Sequence, residues 1–321
     1  MKVFLSVVLV FFPSCLALQL SGRVDRRSFV QQTAGTVTTG WLATPPQEAA
    51  AAAPPPLVPP LPERFESSSL KQPAPLTAVG DVTSPGIDNT YFPDFMAGTW
   101  RVTQTLVDAT APLGLSYIGG PNGDVSIAEK SLAETRSKLN QPVTLELRFV
   151  PTKWGVAEDR VFNNAQRLNA FAGRKVVATV DYADVGASNR AAVLKNGGTA
   201  DDPLATVLVR YRGPAAQKVF VTSHSATTTT TSDAKTQWFI SEGQRSIFAL
   251  TNTSVAPPIF TDSEILYQIE QPVAVDADKV KARLRIVGYL NAQSDKLYFD
   301  ARNRAVSILD YTLDMERASS T

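Results

Sequence analysis

The chain has 321 residues, 44% of them hydrophobic and 19% charged, with 31 Lys and Arg against 30 Asp and Glu. A net charge of +1 offers no basic surface for nucleic acid or an anionic membrane. The one cysteine, Cys15, lies in an N-terminal apolar segment, and His224 is the one histidine. No thiolate or multi-histidine metal site can be assembled from these, and no cofactor or metal is expected.

Residues 1–17 read as a signal peptide: Lys2, an apolar run broken at Pro13, then the small residues Cys15 and Ala17. The run is about ten residues long, and a bilayer span needs about 20, so a membrane anchor is the lesser reading and the mature protein should have no transmembrane segment. Residues 18–53 carry a second signal, the pair Arg26 and Arg27 with Phe29 two positions on, a mildly apolar stretch, and small residues at 49–53. This order resembles the layered presequence of plastid proteins in algae with secondary plastids: secretory entry, envelope crossing, then twin-arginine delivery. It implies the thylakoid lumen. Secretion is the alternative, in which case the sequon at Asn252 should be glycosylated. Residues 54–87 begin with a proline-rich run and read as a linker.

The domain is expected over 88–317. From Trp100, Val102, Gln104 and Leu106 alternate with Thr103 and Thr105, the period of a half-buried strand. Ser126 and Glu129 suggest a capping box opening a short helix to about Leu139. Val143, Leu145, Leu147 and Phe149 share one face of a strand, and Ala165, Leu168 and Ala172 one face of a second helix ending at Gly173. Further strands are expected at 175–182, 205–212, 218–225, 236–241, 246–250, 264–271, 281–291 and 305–315. The threonine run at 227–231 suits either the polar end of a hairpin or a loop. About ten strands, few helices and frequent turns indicate a mainly β fold, an antiparallel barrel or sandwich with one or two short helices.

Gly98-Thr-Trp100 at the start of the first strand resembles the opening of lipocalin and other calycin barrels. In that family the tryptophan closes the barrel floor under a late arginine, for which Arg302, Arg304 and Arg317 are candidates. Phe92-Pro-Asp-Phe-Met-Ala-Gly-Thr-Trp100, Ala111 to Gly114, Asp159-Arg-Val-Phe-Asn163, Val219 to Thr222 and Ser241-Glu-Gly-Gln-Arg-Ser-Ile-Phe248 together resemble an uncharacterised family of cyanobacterial and plastid proteins, some of them lumenal. That resemblance covers roughly 91–315 and implies a location and a calycin-like barrel, with no established activity.

Asp159, Arg160 and Asn163 form the most distinctive polar cluster, read as a structural motif or a ligand-polar contact. His224, assigned to the strand face of Phe220 and Thr222, reads as structural before it reads as a general base. Asp201 and Asp202 lie in a turn, with no further carboxylates arranged around them for a metal. No nucleophile elbow, phosphate loop or dinucleotide fingerprint is present, so a non-enzyme is expected. Trp100, Tyr182, Tyr211, Trp238, Tyr267, Tyr289 and Tyr311 recur about once per strand. They either line a pocket for a small apolar molecule (a pigment, quinone or lipid) or fill a core. In the second case the protein is an interaction or assembly factor for a photosynthetic membrane complex.

Overall fold

A computed structural model describes residues 59–73, 91–152, 155–183, 206–232, 235–252, 257–272 and 278–318. The targeting region with Arg26, Arg27 and Phe29, the Asp201-Asp202 turn and most of the sequon at Asn252 lie outside these residues. The described chain is mainly β, as expected. Its strands are β1 (Gly98–Thr110), β2 (Pro142–Thr152), β3 (Gly155–Glu158), β4 (Val177–Tyr182), β5 (Val207–Tyr211), β6 (Ala215–Thr230), β7 (Thr236–Leu250), β8 (Ile259–Glu270), β9 (Lys279–Tyr289) and β10 (Ser307–Arg317). The helices are α1 (Leu61–Arg64), α2 (Val125–Arg136), α3 (Arg160–Phe171) and α4 (Tyr298–Ala301).

All ten strands join in one antiparallel sheet, ordered β3-β2-β1-β10-β9-β8-β7-β6-β5-β4. The edge strands β3 and β4 are consecutive in the chain, and α3 is the connection between them. This helix packs on β2 at one end of the order and on β4 and β5 at the other. It also reaches Glu242 of β7, Tyr267 of β8 and Tyr311 of β10. One helix can touch strands so far apart in the order only if the sheet curls around it. The result is a half-barrel whose concave face holds α3.

The concave face carries one apolar cluster on β1, β2 and β8–β10 and a second on β4–β6. Trp100 and Val102 of β1, Leu147 of β2, Leu284 of β9, and Leu313 and Met315 of β10 are all at most 4% exposed. Their strands place polar residues at the alternate positions, which is why β1, β2 and β10 are clear in the sequence. Two flanks of α3 enter these clusters. Leu168, with Val161 and Ala165, packs on the β4–β5–β6 end, and Ala170 and Phe171 pack on the β1–β10 end.

The convex face of β7–β10 is also buried, because residues 59–73 lie across it. Phe65 and Leu70, at 2% and 0% exposure, join Phe239, Leu266, Val287 and Ile308. Burial of each such side chain contributes about 2 kcal/mol. This differs from the linker expected over 54–87. The segment docks through single anchors spaced by prolines and polar residues, a pattern without helical or strand period.

Other boundaries moved for local reasons. Helix α2 is capped by Asp124, whose carboxylate accepts the amides of Ser126 and Ile127, so Ser126 lies inside the first turn. The expected strands 236–241 and 246–250 are one strand, β7, running through Gly243. A Cβ on Gly243 would lie 2.2 Å from Ser223 Oγ, so only glycine lets β6 approach there. The threonine run is the end of the β6–β7 hairpin, with Thr230 opposite Thr236. Strand β3, too short for a periodic signal, went unanticipated.

Candidate functional site

The polar centre of the fold sits where α3 meets the concave sheet. Asp159 caps the helix by accepting the Phe162 amide at 2.9 Å, and it also accepts a charged hydrogen bond from Arg148 Nε of β2 at 2.8 Å. Asn163, one turn on and fully buried, completes the joint. Its Oδ1 accepts the Arg148 amide at 2.7 Å, and its Nδ2 donates to the Arg148 carbonyl and to Glu158, both at 3.0 Å. Of the expected cluster, Asp159 and Asn163 thus form a structural joint between α3 and β2, and Arg160 is not part of it.

Arg160 points the other way, into the concavity. Its guanidinium forks onto Glu242 of β7, with Nη1 donating to Oε1 at 2.7 Å and Nη2 to Oε2. Arg160 and Glu242 are 8% and 7% exposed. Gln244 donates a further bond to Glu242 Oε1 at 2.6 Å. Two turns along α3, Arg167 pairs with Glu158 of β3 and donates to the Tyr267 hydroxyl of β8 at 2.7 Å. Burial disfavours both guanidinium charges, yet the carboxylates outweigh it and raise both pKa values. Burial likewise pushes the Glu242 carboxyl up, but Arg160 prevails and holds it below the usual range. Burial raises the Tyr267 phenol. The Arg160–Glu242 pair therefore stays charged at neutral pH.

His224 lies directly opposite Glu242 in the β6–β7 register. The sequence reading put it on the face of Phe220 and Thr222. A β-bulge between Val221 and Ser223 adds one unpaired residue and reverses the alternation, so His224 faces the concave side. Its Nδ1 is buried and has no hydrogen-bond partner among the described residues. Burial lowers its pKa to about 4, an effect to which Arg160 adds and which Glu242 and Glu158 oppose. At neutral pH the imidazole is uncharged and a weak base. With both Glu242 oxygens engaged by Arg160, the arrangement rivets a helix into a sheet and supplies no free acid–base pair.

At the start of β1 a buried tryptophan lies under a late arginine. Trp100 is fully buried, and its indole donates to the Met96 carbonyl at 2.7 Å. Of the three candidate arginines, Arg317 takes the capping position. Its guanidinium carbon lies 4.5 Å from the centre of the Trp100 ring, and it donates to the carbonyls of Ala97 at 2.7 Å and Phe95 at 3.0 Å. Gly98 has φ of +121°, and a Cβ there would meet Arg317 Nη1 at 2.8 Å.

Of the seven aromatics expected to line a pocket or fill a core, Tyr267 and Tyr311 pack under α3, Tyr311 edge-on to Phe171 at 6.3 Å. Trp238 meets Phe95 near the floor, and Tyr211 donates to Gln217 at 2.6 Å. Tyr182 lies on β4 opposite Val207. Tyr289 is on the convex face, where it donates to Glu264 at 2.8 Å under residues 59–73. Between α3 and β4 a surface groove of about 380 Å³ is lined by Val161, Phe162, Ala165, Val177 and Val180 together with the polar Arg148, Asn169, Lys175 and Thr179. Among the described residues no group of three or more metal-ligating side chains occurs. No described helix is long and apolar enough to cross a membrane.

The sequence reading missed Glu242, Glu158 and Arg167 as partners. Arg160 and Arg167 are seven apart, two turns on one helix face, and that spacing was the available signal.

These features define a class: an antiparallel half-barrel, floored by a Trp–Arg cap, with an ion-paired helix in its concave face. The chain belongs to the family of the domain of unknown function DUF6816, whose match spans residues 84–319. No curated protein and no solved structure matches the chain.

Proposed function

We propose that this protein is a non-enzymatic interaction or assembly factor of the thylakoid lumen that binds a photosynthetic membrane complex through its surface. The observation that carries the reading is α3 in the concave face. The space where a lipocalin-type barrel would hold its ligand is occupied by a helix, two buried ion pairs and packed aromatics. The order of the N-terminal signals, and the resemblance to partly lumenal proteins, support the location. Chemical cross-linking of intact thylakoids followed by recovery of this chain tests the reading. Stoichiometric subunits of one membrane complex are expected, and recovery of the chain alone, from material in which known lumenal complexes cross-link, contradicts it.

A second reading, a carrier for a pigment, quinone or lipid, is favoured by one observation. The groove between α3 and β4 has a volume within the usual range for small-molecule sites and a partly apolar lining. A quinone or carotenoid that binds and is lost on Phe162→Ser would support it.

A further inference from the structure

The convex face of β7–β10 is built entirely within the matched family region, yet the segment that covers it, residues 59–73, lies before that region starts at 84. The contacts between the two are those by which a protein recognises a peptide segment, here one helical turn, α1, followed by an irregular stretch. Arg64 is 1% exposed, and its guanidinium forks onto the carboxylate of Glu264, which is fully buried. The receiving carboxylate is held in place from the sheet: Ser241 donates to it at 2.7 Å and Tyr289 at 2.8 Å. Arg285, itself fixed by Asp310 at 2.7 and 2.9 Å, donates to two backbone carbonyls of the segment, Arg64 at 2.8 Å and Ser67 at 2.9 Å. The Ala305 amide donates to the Leu70 carbonyl and the Gln72 amide to the Asn303 carbonyl, both at 2.8 Å. Phe65 and Leu70 pack into one apolar cluster with Phe239, Leu266, Val287 and Ile308.

We propose that this face is a peptide-binding site for an arginine–aromatic segment, occupied here in cis by residues 59–73, and that a partner protein displaces them with a segment of the same kind. A buried carboxylate reads the arginine, an arginine reads main-chain carbonyls, and the apolar cluster on the sheet reads the aromatic and a leucine a few positions on. Charge and shape select together. A buried Glu264 without a cation is costly, so the site exchanges one arginine for another and is not left empty. The segment's own isolated β-bridge, Lys71 to Arg304, belongs to none of the ten strands, so its displacement breaks no strand ladder.

The test uses the full chain with a protease site inserted between residues 74 and 83. After cleavage, the fragment ending at 73 should remain bound, and a fluorescein-labelled synthetic peptide of residues 59–73 should exchange into the site, read by anisotropy. The same peptide carrying Arg64→Met should compete about 30-fold less well or worse, as expected for a central buried arginine anchor. Glu264→Gln in the full chain should abolish the preference between the two peptides. Equal competition by both peptides overturns the proposal. So does unfolding of the sheet once the fragment is cut free, which would make the segment a structural part and not an occupant. Light scattering of the uncut protein should show a monomer, and a dimer that exchanges segments between copies would contradict a partner as the displacing chain. Because the assay contains no photosynthetic complex, its outcome is separate from that of the cross-linking experiment.

Discussion

Arg160→Met is the substitution that most directly probes the helix inside the half-barrel. It removes two hydrogen bonds to Glu242 and leaves a carboxylate 7% exposed, opposite a neutral His224. Breaking a buried pair by removing one partner costs about 3–5 kcal/mol, mostly the penalty of the stranded charge. For a domain of this size that corresponds to a fall in Tm of roughly 6–20 °C. Adding Glu242→Met removes the stranded charge and replaces the pair with apolar volume, so the double variant should recover most of the loss. Urea unfolding followed by circular dichroism reads both, and the double-mutant cycle should give a coupling of about 2 kcal/mol or more. A single variant within about 1 kcal/mol of the wild type, or a double variant no better than the single, would refute the claim that the Arg160–Glu242 pair holds α3 in place.

Three further outcomes follow from the same geometry. His224 has a folded pKa of about 4 against an unfolded value of 6.5. Protonation therefore favours the unfolded chain, and stability falls as pH drops below 6.5 and levels off near 4, by about 2 kcal/mol between pH 7 and 5. Glu242, opposite His224, does not reverse this. Glu242 has a folded pKa lowered by Arg160, so its own contribution is lost only at more acidic pH. His224→Leu should flatten the slope between pH 7 and 5, and an unchanged slope in urea titrations would refute a buried neutral imidazole. Gly243→Ala should cost about 2 kcal/mol by overpacking against Ser223 Oγ, and clearly less in a Ser223→Ala background. Equal costs in both backgrounds would exclude that clash. Arg317→Ala should uncap Trp100 and release two carbonyls of the entry turn, costing about 2 kcal/mol and changing the near-ultraviolet signal of the indole.

Much of the sheet is legible in the chain because β1, β2 and β10 have one wet and one buried face. Trp100, Val102, Gln104 and Leu106 alternate with polar residues for that reason alone. The pattern weakens at β9, where Arg285, Ile286 and Val287 are buried in succession because residues 59–73 cover the other face. Gly243 interrupts the alternation of β7 and divides one strand into two in the reading. A single bulge residue reverses the face of His224, and no local pattern announces it. Asp159 and Asn163 have their partners Arg148 and Phe162 near in sequence, so their joint lies within one stretch of chain. Glu242 is 82 residues from Arg160, so only the topology brings them together. The docking of residues 59–73 is hidden for a related reason: an anchored peptide needs two or three well-placed side chains and no period.

The concave face is filled by the protein itself, and under the proposed function the mature protein works through its surface in the lumen. Native mass spectrometry of the protein purified from its own cells, with the N-terminus sequenced, tests both points most directly. The account predicts a start after about Ala53, no glycan on Asn252, and the mass of the polypeptide alone. A stoichiometric pigment, quinone or lipid on the native ion, or a glycosylated chain beginning near Leu18, would contradict it.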